Sequence, residues 1–419
     1  MSYVPRHVDV FLDEYFASLP AILIDGPKAV GKSSTASRRA RQIFDLALPS
    51  ARELAIANSQ SVTNGERPIF IDEWQRVPDV WDSVKRAVDQ SNVGASFLLA
   101  GSAEAPGTHS GAGRIVSLRM RPMTLIERGL TTATVSLAEI KQGVSNVDGA
   151  TTFGLADYAN SIVRSGFPGF QGMPDKALEI QLEGYVQRII DKDMPEAGLA
   201  VRKPAALLAW LRSFAAATAT TASWESIRDG ATAGSVIKPS RVATAPYIDL
   251  LTQLRIVDDI EAWLPSNNHL NRLSQASKHF LVDPALATSL LGISTESLLS
   301  GDNSLAPRTG TPIFGRLFEN LVALHLQTFA INNRLNVRHL RTGNGDHEID
   351  FILEKPDGRF IAVEAKLNGS ATEADQKHLV WLKNKMGDQM IDGMVITTGQ
   401  HAYRTRQGML SVPLALLGP

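Results

Sequence analysis

The chain has 419 residues, with 42 Lys or Arg against 43 Asp or Glu, a net charge of −1 and no cysteine. The near-neutral balance excludes a globally cationic nucleic-acid coat and leaves any such contact to local patches. The missing cysteines exclude disulfides, thiol catalysis and cysteine-bound zinc. This length predicts two to four packed units. No signal-peptide core and no run of roughly 18 uninterrupted apolar residues is present, so a cytoplasmic protein with no membrane contact is expected.

The first predicted element is the strand "AILID", followed by "GPKAVGKS" and the helix-forming "KSSTASRRARQI". Strand, glycine-rich loop and helix in that order are the context of a phosphate-binding loop, G-x-x-x-x-G-K-[ST]. Gly26, Pro27, Lys28, Ala29, Val30, Gly31, Lys32, Ser33 and Ser34 are its candidate nucleotide-binding residues. The glycines let successive backbone N–H groups turn inward onto phosphate oxygens, Lys32 adds a mobile charge, and the Ser33 hydroxyl is a candidate Mg²⁺ ligand. Ile43–Leu48 reads as a further strand. Residues 68–71 form a short apolar strand ending in Asp72 and Glu73. Carboxylates at the end of a buried strand are costly without a role. In a phosphate-loop site the first steadies Mg²⁺ and the second orients and deprotonates the attacking water. The strand in "SFLLAGSAE" ends on Ser102, a candidate γ-phosphate sensor, and "RIVSLRMRP" carries Arg114, Arg119 and Arg121. Strands alternating with helices predict a parallel sheet covered on both faces.

These residues carry a resemblance. "GPKAVGKS", "IFIDEWQRVPDVWDSVKRAVD", "FLLAGSA" and "GAGRIVSLRMRPMTLIE" resemble the AAA-type ATPases of bacteria and archaea whose C-terminal half is a domain of unknown function. "SGFPGF", "YVQRIIDKDMP", "FLVDPALA", "GRLFENLVALHL" and "RTGNGDHEIDFILE" extend the likeness over nearly the whole chain. It implies ATP binding at Gly26 to Ser34, Mg²⁺ held at Ser33 and Asp72, catalysis by Lys32, Asp72 and Glu73, and a polar sensor at Ser102. It also implies a recurrent arginine at Arg114, either an arginine finger reaching a second copy of the chain or a structural residue at a strand start. The family loop commonly has Arg and Gln where this chain has Lys28 and Ala29, and often Thr at Ser33; each required chemical group is retained.

The expected organisation is α/β and multidomain. An AAA-type P-loop domain with a parallel sheet (1–135) precedes a helical lid or connector (136–200), a winged-helix-like region (201–291), a Ser/Gly/Pro-rich linker (292–312) and a nuclease-like α/β domain (313–419). In the middle, a short helix, a turn and a second helix with Tyr247, Leu250, Leu251 and Leu254 on its inner side lead into a strand pair, which is the winged-helix pattern and agrees with the resemblance. Lys238, Arg241 and Arg255 are its candidate phosphate contacts on DNA. Residues 201–263 hold seven Lys or Arg against six Asp or Glu, which suits a protein-packing module equally.

Farther on, "HEIDFILE" and "RFIAVEAK" are two strands joined by the turn "KPDG". Alternation along a strand lets Asp350, Glu364 and Lys366 converge across this hairpin. Glu319 lies on the preceding helix and Gln376 on the following one. The order Glu319, Asp350, Glu364, Lys366, Gln376 resembles the PD-(D/E)XK nuclease core. That likeness implies metal held by Asp350, Glu364 and Glu319, with Lys366 polarising a water. A surface hairpin with an exposed Glu–Lys pair is the alternative. Two functions follow. One is an ATPase coupled to a DNA transaction that includes metal-dependent cleavage. The other is a nucleotide-dependent protein-interaction switch with a silent nuclease-like fold. ATP and Mg²⁺ are the expected ligands, and DNA, a protein partner and further copies of the chain the candidate partners.

Overall fold

A computed structural model of the protein describes residues 3–101, 111–144, 147–199, 201, 203–231, 241–264, 275–301 and 312–419. The chain divides into two compact units. The first comprises Met1–Met123, Phe167–Gly169 and Leu251–Ile256, and the second Thr124–Gly166, Phe170–Leu250 and Val257–Pro419.

In the N-terminal unit, α1 (His7–Tyr15) leads to β1 (Ala21–Asp25), α2 (Lys32–Ser37), β2 (Gln42–Asp45), α3 (Pro49–Ala57), β3 (Ile69–Asp72), α4 (Asp79–Gln90), β4 (Phe97–Gly101) and β5 (Ile115–Arg119). The five strands form one parallel sheet in the order β2-β3-β4-β1-β5. β1, β3 and β4 are nearly continuous apolar runs because elements cover both faces of a parallel sheet. Val80, Trp81, Val84 and Val88 recur at helical spacing on α4 and bury against Ile69, Ile71, Phe97 and Leu99. The ring centroids of Trp74 and Trp81 lie 4.6 Å apart in the same core. The register places Asp25 opposite Gly101 and Asp72 opposite Ala100, so β1, β3 and β4 end level with one another. Ligands of open parallel sheets sit at such strand ends.

The second unit begins with β6 (Val135–Ser136), α5 (Leu137–Lys141), β7 (Gly149–Ala150), α6 (Leu155–Val163), α7 (Asp175–Arg188) and α8 (Met194–Glu196). This stretch, expected as a helical connector, therefore also supplies two short strands. Their partners lie far along the chain. α9 (Pro204–Ala216), α10 (Trp224–Gly230), α11 (Arg241–Gln253), α12 (Pro284–Leu291) and α13 (Thr295–Ser300) follow. The last of these falls within the segment expected as linker. Antiparallel bridges pair Val257 with Leu281 and Ile260 with Lys278, where a strand pair was expected.

α14 (Ile313–Asn333) is buried on almost every side and precedes β8 (Asn336–Arg341), β9 (Glu348–Glu354), β10 (Phe360–Ala365), α15 (Glu373–Met386), β11 (Met390–Thr397), β12 (His401–Arg404), β13 (Leu410–Pro413) and β14 (Leu417–Gly418). Among the described residues the main sheet runs β7-β12-β13-β11-β10-β9-β8, and β14 pairs with β6. β9 and β10 are antiparallel, whereas β10 and β11 are parallel and joined through α15. The turn between β9 and β10 closes by a Gly358 N–H bond to the Lys355 carbonyl, as "KPDG" predicts. Trp263 packs on Phe360 within the core of this sheet. Among the described residues no helix is long and apolar enough to cross a membrane.

Candidate functional site

The loop after β1 is shaped by two glycines. A Cβ on Gly26 would lie 2.3 Å from the Met120 carbonyl oxygen, and Gly31 has φ +107°, so each position demands the absence of a side chain. Gly26→Ala is expected to destabilise the N-terminal unit by about 1–3 kcal/mol through this overlap. Thermal denaturation measures it, and an unchanged midpoint would refute the close approach.

Lys32 is buried, and its ammonium donates to the carbonyls of Gly26 (2.7 Å) and Pro27 (2.8 Å). Burial lowers its pKa to about 8, against the opposing charges of Glu73, Asp25 and Asp72. The Ser33 hydroxyl is hydrogen-bonded to the Asp72 carboxylate, whose pKa is raised by burial, lowered by that bond and raised again by Glu73. Glu73 follows β3 with φ 53°, ψ 37°, a left-handed conformation uncommon for its type. Its Oε2 accepts from Gln75 Nε2 at 2.8 Å. Lys32, Ser33, Asp72 and Glu73 thus meet at the ends of β1 and β3. Ser102 lies outside the described residues, as does Lys238.

The Arg114 Nε donates to Asp89 at 2.6 Å in a half-exposed pair. Pro27 and Val30 are buried, whereas Ala29, Ser33 and Ser34 are exposed and Lys28 is intermediate.

Three neighbours of the loop carry no spacing signal in the sequence. Buried Arg6 donates to the Val30 carbonyl (2.9 Å) and to the Arg121 carbonyl (2.6 Å), bracing the loop from outside. Asp9 accepts from the Arg6 backbone N–H and pairs with Arg39. Arg255, expected among the DNA-phosphate contacts, instead places Nε 2.7 Å from Asp25, the residue just before Gly26, and Arg119 approaches the same carboxylate at 3.5 Å.

The second unit holds the other carboxylate set. Asp350 on β9 accepts from the Ala365 N–H (3.0 Å). Lys366, one residue past β10, contacts Glu364 at 2.6 Å and Asp350 at 3.5 Å. The hairpin register thus unites Asp350, Glu364 and Lys366 as alternation predicts. A residue missing from that expectation joins them. The Lys278 ammonium lies 2.6 Å from Glu319, 2.8 Å from Asp350 and 3.3 Å from Glu348, and Lys278 is 1% exposed. Gln376 is buried, but its amide donates to the Thr372 carbonyl and accepts from Thr405, with no hydrogen bond to the carboxylates.

Burial would raise Asp350, yet Lys278 and then Lys366 outweigh it and hold this carboxylate well below its usual range. Burial, then Asp350, pushes Glu364 well up, and the same two causes take Glu319 to about 8. A carboxyl raised in the folded state binds more protons there than when unfolded. Its contribution to stability is therefore full below about pH 4.5 and is lost as pH rises towards 8. Glu319→Gln is expected to flatten that fall, as followed by chemical denaturation at pH 5 and pH 8. An undiminished slope would remove Glu319 as its source.

A divalent cation does not fit this arrangement, because an ammonium already stands against three of the carboxylates. Among the described residues no three His, Asp or Glu side chains are placed to hold a metal ion. Ser33 and Asp72 do fit one: a hydroxyl and a carboxylate in contact beside the loop are oxygen donors suited to Mg²⁺ completed by phosphate oxygens.

Residues 18–128 match the model of an AAA domain, residues 155–297 a domain of unknown function, DUF8612, and residues 314–417 another, DUF4143. The uncharacterized proteins Mb2031c of Mycobacterium bovis and Rv2008c of Mycobacterium tuberculosis are each 24% identical over 408 residues, covering 94% of this chain and 80% of theirs. The chain therefore carries an AAA domain at its N-terminal end and a DUF4143 domain at its C-terminal end.

Proposed function

We propose that the protein binds ATP at Gly26–Ser34, hydrolyses it to ADP and phosphate, and uses turnover to switch what its C-terminal half presents to a protein partner. The observation that carries this reading is the meeting of Lys32, Ser33 and Asp72 at level strand ends, with Glu73 next in the chain. In the reaction Lys32 leaves the Gly26 and Pro27 carbonyls for the β- and γ-phosphates, while the loop N–H groups hold the same oxygens. Ser33 and Asp72 would hold Mg²⁺, which neutralises phosphate charge when bound. Glu73 takes the proton of the attacking water as the bond from γ-phosphorus to the bridging oxygen breaks. Arg255 on Asp25 gives the segment after α11 a direct hold on the residue that begins the loop.

The competing reading is a DNA transaction ending in phosphodiester cleavage, supported by the convergence of Asp350, Glu364 and Lys366. Lys278 among these carboxylates favours the non-cleaving switch. Phosphate release by purified protein with Mg²⁺, beside DNA binding titrated from low to high salt, separates the two. The switch predicts turnover with little DNA affinity at any salt. Tight DNA binding that weakens steeply with salt would support the competitor, and absence of turnover would sink the ATPase reading itself.

A further inference from the structure

The C-terminal carboxylate centre already contains its cation. We propose that Lys278 acts as a tethered ion: its ammonium stands among Glu319, Glu348 and Asp350 in place of any bound cation, clasping the 276–283 segment to α14 and β9. The distances, 2.6, 3.3 and 2.8 Å, put one nitrogen within ion-pair reach of three carboxylates, and towards Asp350 it donates a hydrogen bond.

The backbone that delivers Lys278 is fixed at several points, so the placement is built into the fold. Lys278 and Ile260 exchange both backbone hydrogen bonds. The Ala276 carbonyl is bonded by His339 Nε2 at 2.9 Å, and Asn320 of α14 donates to the Leu281 carbonyl at 2.8 Å. Asp283 ends the segment, accepting from the Ser165 hydroxyl, the Gly166 N–H and the Ala285 N–H. These anchors fix the backbone that carries Lys278, so its stem starts from one place beside the carboxylates.

Charge balance points the same way. Four carboxyls, Glu319, Glu348, Asp350 and Glu364, face two ammoniums, Lys278 and Lys366, and the Arg341 guanidinium, 3.9 Å from Glu348. Burial favours the protonated forms of Glu319 and Glu364, which lowers the negative charge that these cations face. An added divalent ion would bring two uncompensated charges into a buried space unless Lys278 left or protons were released. The centre is thus an ion cluster, buried at Lys278, Asp350 and Glu364, nearly so at Glu319 and part-exposed at Glu348 and Lys366, joining the middle of the chain to the C-terminal sheet.

The test is Mn²⁺ binding to the nucleotide-free full chain, read by electron paramagnetic resonance and by the shift in thermal midpoint. Wild type and Lys278→Arg are expected to bind no Mn²⁺ at this centre. Lys278→Met, which keeps the stem and removes the charge, is expected to gain a Mn²⁺ site at least tenfold tighter, lost again when Glu319→Gln is added, and to be stabilised by Mn²⁺ where wild type is not. A folded Lys278→Met that gains no site would overturn the proposal. If Lys278→Met does not fold, comparison of wild type with Glu319→Gln decides. Mn²⁺ binding by wild type that Glu319→Gln removes would overturn it, and the same absence of binding in both would support it.

Discussion

Lys32→Ala is expected to lose ATP turnover by about 10²- to 10³-fold, the scale at which removing one preorganised charge from a phosphoryl-transfer site is felt. The expectation rests on where the ammonium is held. With its pKa lowered to about 8 by burial, Lys32 remains largely charged at neutral pH because Glu73, Asp25 and Asp72 offset part of that cost. Alanine removes this charge and strands the Gly26 and Pro27 carbonyls without their donor. Both effects weaken the loop's grip on phosphate. Radioactive or fluorescent ATP binding, beside phosphate release, measures each, and normal turnover in this variant would refute the loop assignment.

Glu73→Gln is expected to separate binding from chemistry. The amide is nearly isosteric and can retain a hydrogen bond with Gln75, so the left-handed turn after β3 should persist. What it loses is the basic oxygen. ATP affinity should therefore stay within a few-fold of wild type while turnover falls by about 10²- to 10⁴-fold, the range for loss of a positioned general base. Single-turnover kinetics with labelled ATP make the comparison. Unimpaired hydrolysis would assign the proton transfer to another group, and a loss of binding would make Glu73 a structural residue.

The legible parts of the site are those encoded locally. "GPKAVGKS" between an apolar strand and a helix, and "IFIDE" ending a buried strand, specify their geometry within a few residues, and the ends of β1 and β3 meet as that reading requires. The β9–β10 hairpin was equally readable, because side-chain alternation and the turn "KPDG" fix which residues share a face. Lys278 was not. It sits in "SKHFLVDP", where a lysine beside a histidine reads as surface, and only the pairing with Ile260 carries it to a carboxylate lying 72 positions later. Arg6 and the pairing of Arg255 with Asp25 were illegible for the same reason, since the partners Val30 and Asp25 are set by tertiary packing. β6 and β7 are two residues long and exist because β14 and β12 offer them edges. Gln376 shows the converse error of reading: its helix position is as expected, but Thr372 and Thr405 take its amide.

The most direct test of the switch is hydrogen exchange on Glu73→Gln with and without ATP and Mg²⁺, with Lys32→Ala as the control. The account predicts that ATP changes amide protection around Asp25–Ser34, along Leu251–Ile256 and within residues 313–419, and that Lys32→Ala shows none of these changes. Altered protection confined to the phosphate-binding loop and its neighbouring strands would contradict it, leaving an ATPase whose turnover does not reach the C-terminal half.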